Sequence, residues 1–237
     1  ISLSSPQFYN GCYPIGPKEA VTADFDGDGF KDIAIAKMEG VLSILYWSQA
    51  AQTFVDRQDL LHQPVTNYDG SDGYRGVAAA DLDRDGHMDA MAISPYKGVL
   101  FRYRNLGSHT FDPAESYPLW VGARDCAAGD FNGDGITDLI VGGGDYSAGR
   151  NTILNYRVLQ LNGDGSGGFT RETDLVIPGS SYITGPTGAS DSGFPKPVFS
   201  FAVYRPLGGI ADDVAVTYAT TTTVRFLHAD GAGRLAV

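Results

Sequence analysis

Ala23-Asp-Phe-Asp-Gly-Asp-Gly-Phe-Lys-Asp-Ile-Ala-Ile35 decides the fold, because the chain writes it twice more without a gap. Ala80-Asp-Leu-Asp-Arg-Asp-Gly-His-Met-Asp-Ala-Met-Ala92 and Gly129-Asp-Phe-Asn-Gly-Asp-Gly-Ile-Thr-Asp-Leu-Ile-Val141 superimpose on it residue for residue. The repeats open at Asp24, Asp81 and Asp130, a period of about 50 residues, which marks a tandem architecture rather than a single motif. Each loop lies between short apolar runs, and the run after it (Ile33–Ala36, Ala90–Ile93, Leu139–Gly142) reads as a strand.

Outward from each loop the same order recurs. A strand-like stretch follows (Val41–Trp47, Val99–Tyr103, Ile153–Leu161), then a polar turn leading to an aromatic residue, Phe54, Phe111 or Phe169. A degenerate fourth copy keeps Phe199–Tyr204, Asp213–Tyr218 and Val224–His228 in these places but has Arg205-Pro-Leu-Gly-Gly where the acidic loop belongs. Four strands per unit of this length predict an all-β fold, a β-propeller of about four four-stranded blades with acidic inter-strand loops. The blades are expected at 18–61, 75–120, 122–178 and 197–237, forming one domain over 1–237. Residues 1–16 are expected to complete the last blade and so leave no open sheet edge.

The loops alternate oxygen donors in the order Asp-x-Asp/Asn-x-Asp-Gly-x-x-Asp. Calcium takes six to eight oxygens, and carboxylates with one backbone carbonyl supply them. The expected ligands are Asp24, Asp26, Asp28, Phe30 and Asp32 in the first loop. They are Asp81, Asp83, Asp85, His87 and Asp89 in the second, and Asp130, Asn132, Asp134, Ile136 and Asp138 in the third. Phe30, His87 and Ile136 enter through their carbonyls. That set holds as many carboxylates as the chain's whole acidic excess, a net charge of −11. Like charges packed this closely repel unless a cation neutralises them, so about three calcium ions are expected. The alternative, Asp-Gly turns that only cap hairpins, accounts for one such loop more easily than for three. An EF-hand is excluded: its twelfth position needs a bidentate Glu, and Ile35, Ala92 and Val141 stand there.

These loops and their flanking apolar runs resemble the FG-GAP/VCBS repeats of integrin α-subunits and related propellers, a family that also includes propeller lectins. The resemblance covers essentially the whole chain. It implies a calcium-bound propeller that binds glycans or adheres to proteins. Integrin-type propellers have seven blades and this chain reads as about four. Closure within one chain and pairing with another, as in a homo-oligomer, therefore both stay open.

In a four-stranded blade, the loops joining strands one to two and three to four share one end. The other end collects Asn67–Arg75, Ser94–Gly98, Gly142–Arg150 and the long 178–197 stretch. Long connections mixing Tyr, Asp, Arg and Gly carry function more often than ordinary loops. Tyr68, Asp72, Tyr74, Arg75, Tyr96, Trp120, Asp145, Tyr146 and Arg150 are the candidate ligand-binding residues; the alternative for each aromatic is packing between blades.

No catalytic constellation is legible. His62, His87, His109 and His228 are scattered, and there is no Gly-x-Ser-x-Gly elbow. Gly163-Asp-Gly-Ser-Gly-Gly168 matches a dinucleotide fingerprint in form only, because its position recurs as a hairpin turn. Charge disfavours nucleic acid, and no apolar run is long enough to insert in a membrane. The two cysteines, Cys12 and Cys126, make no disulfide framework and read as free buried thiols. No basic leader opens the chain, so Ile1 reads as a mature N-terminus. The calcium loops point to an extracellular, secreted protein. The expected function is a calcium-stabilised, non-catalytic recognition protein, a carbohydrate-binding lectin with a glycan or glycoprotein ligand. The alternatives are a protein-binding adhesion module and an accessory propeller of a polysaccharide-active enzyme.

Overall fold

A computed structural model describes residues 8–9, 13–14, 16–62, 73–146, 153–171, 174–176, 199–218, 224–229 and 233–236. Every regular element among them is a β-strand, and no helix there is long and apolar enough to cross a membrane. β1 (Phe8–Tyr9) and β2 (Tyr13–Pro14) pair with each other. The first four-stranded sheet follows chain order: β3 (Pro17–Ala23), β4 (Asp32–Lys37), β5 (Val41–Ser48) and β6 (Thr53–Leu61). The second repeats it with β7 (Gly76–Ala80), β8 (Asp89–Ser94), β9 (Val99–Tyr103) and β10 (Glu115–Pro118).

The third sheet is built from β11 (Ala123–Gly129), β12 (Asp138–Tyr146), β13 (Ile153–Gly163) and β14 (Phe169–Arg171), and β15 (Leu175–Val176) adds a fifth strand on β13. The fourth contains β16 (Phe199–Tyr204), β17 (Asp213–Tyr218), β18 (Arg225–Ala229) and β19 (Leu235–Ala236). All pairings are antiparallel, and within each four-stranded sheet they join chain neighbours, the arrangement of β-propeller blades. The protein is therefore all-β, with four four-stranded blades. The outer strand of the fourth blade is β19, from the C-terminal end. The N-terminal segment expected in that place is described only at β1 and β2, which pair with one another.

The chain divides into two compact units, Ile1–Asp81 with Asp85–Val121, and Gly122–Val237 with Leu82–Arg84. Within the first, strand alternation turns Ala34, Ala36, Leu42, Ile44 and Tyr46 of one blade onto Val77, Ala90, Ala92, Phe101 and Tyr103 of the next. Within the second, Ile140, Tyr156 and Val158 meet Val214, Val216, Leu227 and Leu235. Side chains of period two on a pleated strand make such a two-sided core. Cys126 lies buried in β11; Cys12 lies outside the described residues.

This topology sets the functional geography of each blade. The acidic loops join the first strand to the second in three sheets, β3 to β4, β7 to β8 and β11 to β12. In the fourth, the Arg205–Asp212 segment makes the same connection. The Gly163–Gly168 stretch is the β13–β14 hairpin turn, in which Asp164 Oδ1 accepts from the N–H groups of Ser166 (2.8 Å) and Gly168 (3.0 Å). No helix follows it, so the dinucleotide pattern is a turn.

Candidate functional site

Each acidic loop is organised by its own carboxylates accepting backbone N–H groups. Asp24 takes Gly27 N on Oδ1 and Gly29 N on Oδ2, both at 2.8 Å. Asp81 takes Asp85 N (3.1 Å) and Gly86 N (3.0 Å), and Asp130 takes Gly133 N (2.8 Å) and Gly135 N (3.2 Å). The sixth-position glycines, Gly29, Gly86 and Gly135, have φ of 89°, 91° and 79°, a left-handed conformation that a Cβ opposes. Phe30, His87 and Ile136, chosen for their carbonyls, each donate their N–H to the fifth-position carboxylate, Asp28, Asp85 or Asp134, at 2.7–2.9 Å.

Asp24, Asp26 and Asp28 each bring one carboxylate oxygen to within 4.8 Å of the others, and Asp81, Asp83 and Asp85 do the same. These two loops fit a hard divalent cation: oxygen-only donors already converge, and crowded anions need a counter-charge. Among the described residues no third group of this kind forms. The third loop has Asn132 where the others have a carboxylate. Its amide Nδ2 donates to Asp134 Oδ2 at 2.9 Å, and its Oδ1 accepts Asp134 N at 2.8 Å.

Asp32, Asp89 and Asp138, expected as ninth-position ligands, are not brought into these clusters. All three are fully buried, and each ties its loop to the far side of its blade. Asp32 accepts Phe25 N on Oδ2 (2.9 Å) and Trp47 N on Oδ1 (2.8 Å). Asp138 accepts Phe131 N (2.9 Å), Asn132 N (3.1 Å) and Gly163 N (2.9 Å). Asp89 accepts Asn105 N (2.9 Å) and the Arg102 guanidinium, from Nη2 at 2.8 Å. Burial pushes the Asp138 carboxyl up to about 6 even against its three backbone donors, and burial likewise raises Asp32. The fourth blade, which has no acidic loop, keeps the same residue: Asp213 accepts Ala229 N at 3.3 Å and lies 2.6 Å from His228 Nδ1. A buried aspartate that persists where the acidic loop is gone has a structural role of its own, as a tie between strands.

A basic group meets one carboxylate of every loop. His109 Nε2 lies 3.3 Å from Asp26 Oδ2, with its ring stacked on Tyr46 at 3.8 Å. Arg104 Nη2 donates to Asp85 Oδ2 at 3.3 Å. Arg205 donates through Nε to Asp212 Oδ1 (2.7 Å) and through Nη2 to Asp130 Oδ2 (3.5 Å). None of the three was singled out from the sequence, because each lies far along the chain from its partner.

The opposite end of the second blade gathers Arg75, Tyr96 and Trp120, since they stand before β7, in the β8–β9 turn and after β10. Arg75 Nη2 donates to Tyr96 Oη at 3.5 Å, and all three side chains are half-buried. Tyr74 is corrected: it is wholly buried, hydrogen-bonded to Tyr103 Oη and to His62 Nδ1, both at 2.7 Å. Its phenol therefore belongs to the interior. Lys97 Nζ lies 3.2 Å from His62 Nε2. An ammonium has no acceptor, so Nε2 accepts and Nδ1 carries the proton given to Tyr74. His62 and Lys97 were missed from sequence; Lys97 stands beside Tyr96 in the same turn.

In the second unit, Asp145 accepts Arg157 Nη1 at 2.9 Å, and Asp174 pairs with the same guanidinium. Asp145 is therefore tied into an ion-pair network. Tyr146 ends β12. Tyr68, Asp72 and Arg150 lie outside the described residues.

An FG-GAP-like repeat model matches residues 24–92 and an FG-GAP repeat model matches 125–154. No curated protein sequence matches. Among solved structures, the chain is similar to an Agrocybe aegerita lectin described as recognising non-reducing terminal N-acetylglucosamine. The TM-score is 0.54 and the identity 16%, over 94% of this chain and 52% of the lectin. The chain thus spans about half the length of that lectin. It also matches the Photorhabdus luminescens Tc holotoxin pore, with a TM-score of 0.47 and 16% identity over 87% of this chain and 9% of that one.

Proposed function

The chain belongs to the FG-GAP repeat family of β-propellers, and from that premise we propose that it is a calcium-stabilised, non-catalytic recognition protein whose ligand is a carbohydrate. The observation that carries the reading is the division of labour along the second blade. Convergent carboxylates stand at one end, and a guanidinium–phenol pair, with Trp120 at the same end of the blade, stands at the other, all half-buried. Aromatic faces stack on sugar rings, while Arg and Tyr donors fix the hydroxyls. The lectin that shares the fold supports the ligand class.

Calcium in the acidic loops rigidifies the frame and leaves recognition to the other end. In that role Asp24, Asp26, Asp28, Asp81, Asp83 and Asp85 are the side-chain ligands, with the Phe30 and His87 carbonyls completing the shells. Affinities of roughly 10⁻⁴–10⁻³ M are usual for extracellular calcium modules, and a secreted location suits them. A glycan array read in millimolar calcium tests the proposal. Binding of one sugar class, lost in both Arg75→Ala and Tyr96→Ala, is expected. A blank array, with the protein folded and calcium-loaded, overturns it.

A second reading rests on the fourth blade. Where the other copies have aspartates, its first connection exposes Leu207 and Ile210, at 107% and 79%. Fully solvated branched side chains on a loop favour a protein contact, as in an adhesion module. Pull-down with and without Leu207→Ser and Ile210→Ser distinguishes this reading from the first.

A further inference from the structure

We infer that Arg205 serves as the built-in cation of the third acidic loop, so that the chain takes two calcium ions rather than three. The inference rests on the calcium reading of the loops and concerns which of them is a site.

The third loop does not fit a divalent ion as the other two do. It holds Asn132 in place of Asp26 and Asp83, and among the described residues it assembles no group of three carboxylates. Its first aspartate is also already engaged. Asp130 Oδ2 accepts Arg205 Nη2 at 3.5 Å, and the guanidinium is fixed there by Nε donating to Asp212 Oδ1 at 2.7 Å. Asp212 is itself docked on the loop by a reciprocal pair: its N–H donates to the Asp130 carbonyl (2.7 Å), and its Oδ2 accepts Asp130 N (2.8 Å). The Asp130 side chain is 13% exposed and the Arg205 side chain 48%, so the carboxylate is sheltered while the guanidinium stays open to solvent.

Arg104 also meets the second loop, at Asp85, yet the balance there differs. The second loop gathers three clustered carboxylates; the third has two, Asp130 and Asp134, beside Asn132. The first meets the His109 imidazole at Asp26. A divalent cation entering the third loop has to displace Arg205 from Asp130 and then settle for fewer anionic ligands. The origin of this arrangement is legible in the repeat. Arg205 opens the segment that replaced the acidic loop of the fourth copy, so the copy that lost its site supplies the charge that closes its neighbour's.

The test is calcium titration calorimetry on the whole chain after stripping with a chelator. Two ions are expected for the wild type, one each for Asp26→Asn and Asp83→Asn, and still two for Asp134→Asn. Arg205→Gln is expected to add a third, weaker ion, while Arg205→Lys, which keeps the cation, stays at two. A wild type that takes three ions, an Asp134→Asn chain that loses one, or an Arg205→Gln chain that stays at two overturns the inference and leaves the calcium reading standing. No binding heat in the wild type overturns both. If Arg205→Gln does not fold, Asp134→Asn in the otherwise native chain decides alone.

Discussion

At the scale of the residue, the ninth-position aspartate separates two roles that share one spacing. Asp213 has no acidic loop to serve, yet it is 6% exposed and holds Ala229 N and His228. Asp213→Ala is expected to cost about 0.5–1.5 kcal/mol, because it removes the part-buried hydrogen bond from Ala229 N and the contact with His228. Urea unfolding should give the same loss with calcium and with chelator. Asp26→Ala, by contrast, should lower stability only when calcium is present. A calcium-dependent loss at Asp213 would sink the structural assignment. Spacing in the sequence identified the oxygen-rich loops because alternate donors in a Gly-bearing turn have few other uses. It did not separate Asp24, Asp26 and Asp28 from Asp32, since a carboxylate aimed at a loop and one aimed across a sheet occupy the same letter. Tyr74 was misread for a related reason: a Gly- and Asp-rich neighbourhood looks solvated, and only the pairing of Tyr74 N with the Lys37 carbonyl, at 2.9 Å, draws its ring inward.

At the scale of the element, each blade depends on contacts that strand pattern alone does not predict. In the second, Arg102 and Asp89 form an ion pair of two buried side chains, 4% and 0% exposed, with Glu115 at 3.5 Å on the open side. Arg102→Ala leaves the Asp89 charge buried without its partner and is expected to cost roughly 3–5 kcal/mol, read as a lower urea midpoint at unchanged slope. Gly98→Ala tests the turn between β8 and β9. Its φ is 64°, and a Cβ there would stand 2.8 Å from the backbone of Trp120 and Val121, which cannot yield as a side chain end would. A loss of at least about 1 kcal/mol is expected; a neutral result would mean that the turn and the Trp120 segment move together. The strands themselves were largely legible, since β4, β5, β8, β9 and β13 sit on the apolar runs that follow the loops. β15 was not: a two-residue strand has no period to read. The outer strand β19 was missed because Leu235–Ala236 is equally short.

At the scale of the whole molecule, calcium bound as proposed would act by mass action on the folded state, each ion at a hundred times its dissociation constant adding about 2.7 kcal/mol. Excess chelator is therefore expected to lower the melting temperature, and an unchanged melt would remove calcium from the account. Hydrogen exchange should locate the effect, with slower exchange on adding calcium at 24–32 and 81–89 and none at 130–138. The recognition end was only partly legible, because Arg75 and Tyr96 become neighbours through sheet register rather than sequence proximity. The buried tie at the end of each acidic loop has a further consequence. Asp32 closes its loop onto Phe25 and Trp47 through backbone N–H groups, so the ring has hydrogen bonds of its own besides any bond to a cation. Filling such a ring demands little reordering, and emptying it frees the tip while the strands stay zipped. Loaded as proposed, such loops could be drained and recharged many times as the surrounding calcium rises and falls, with the strands still paired.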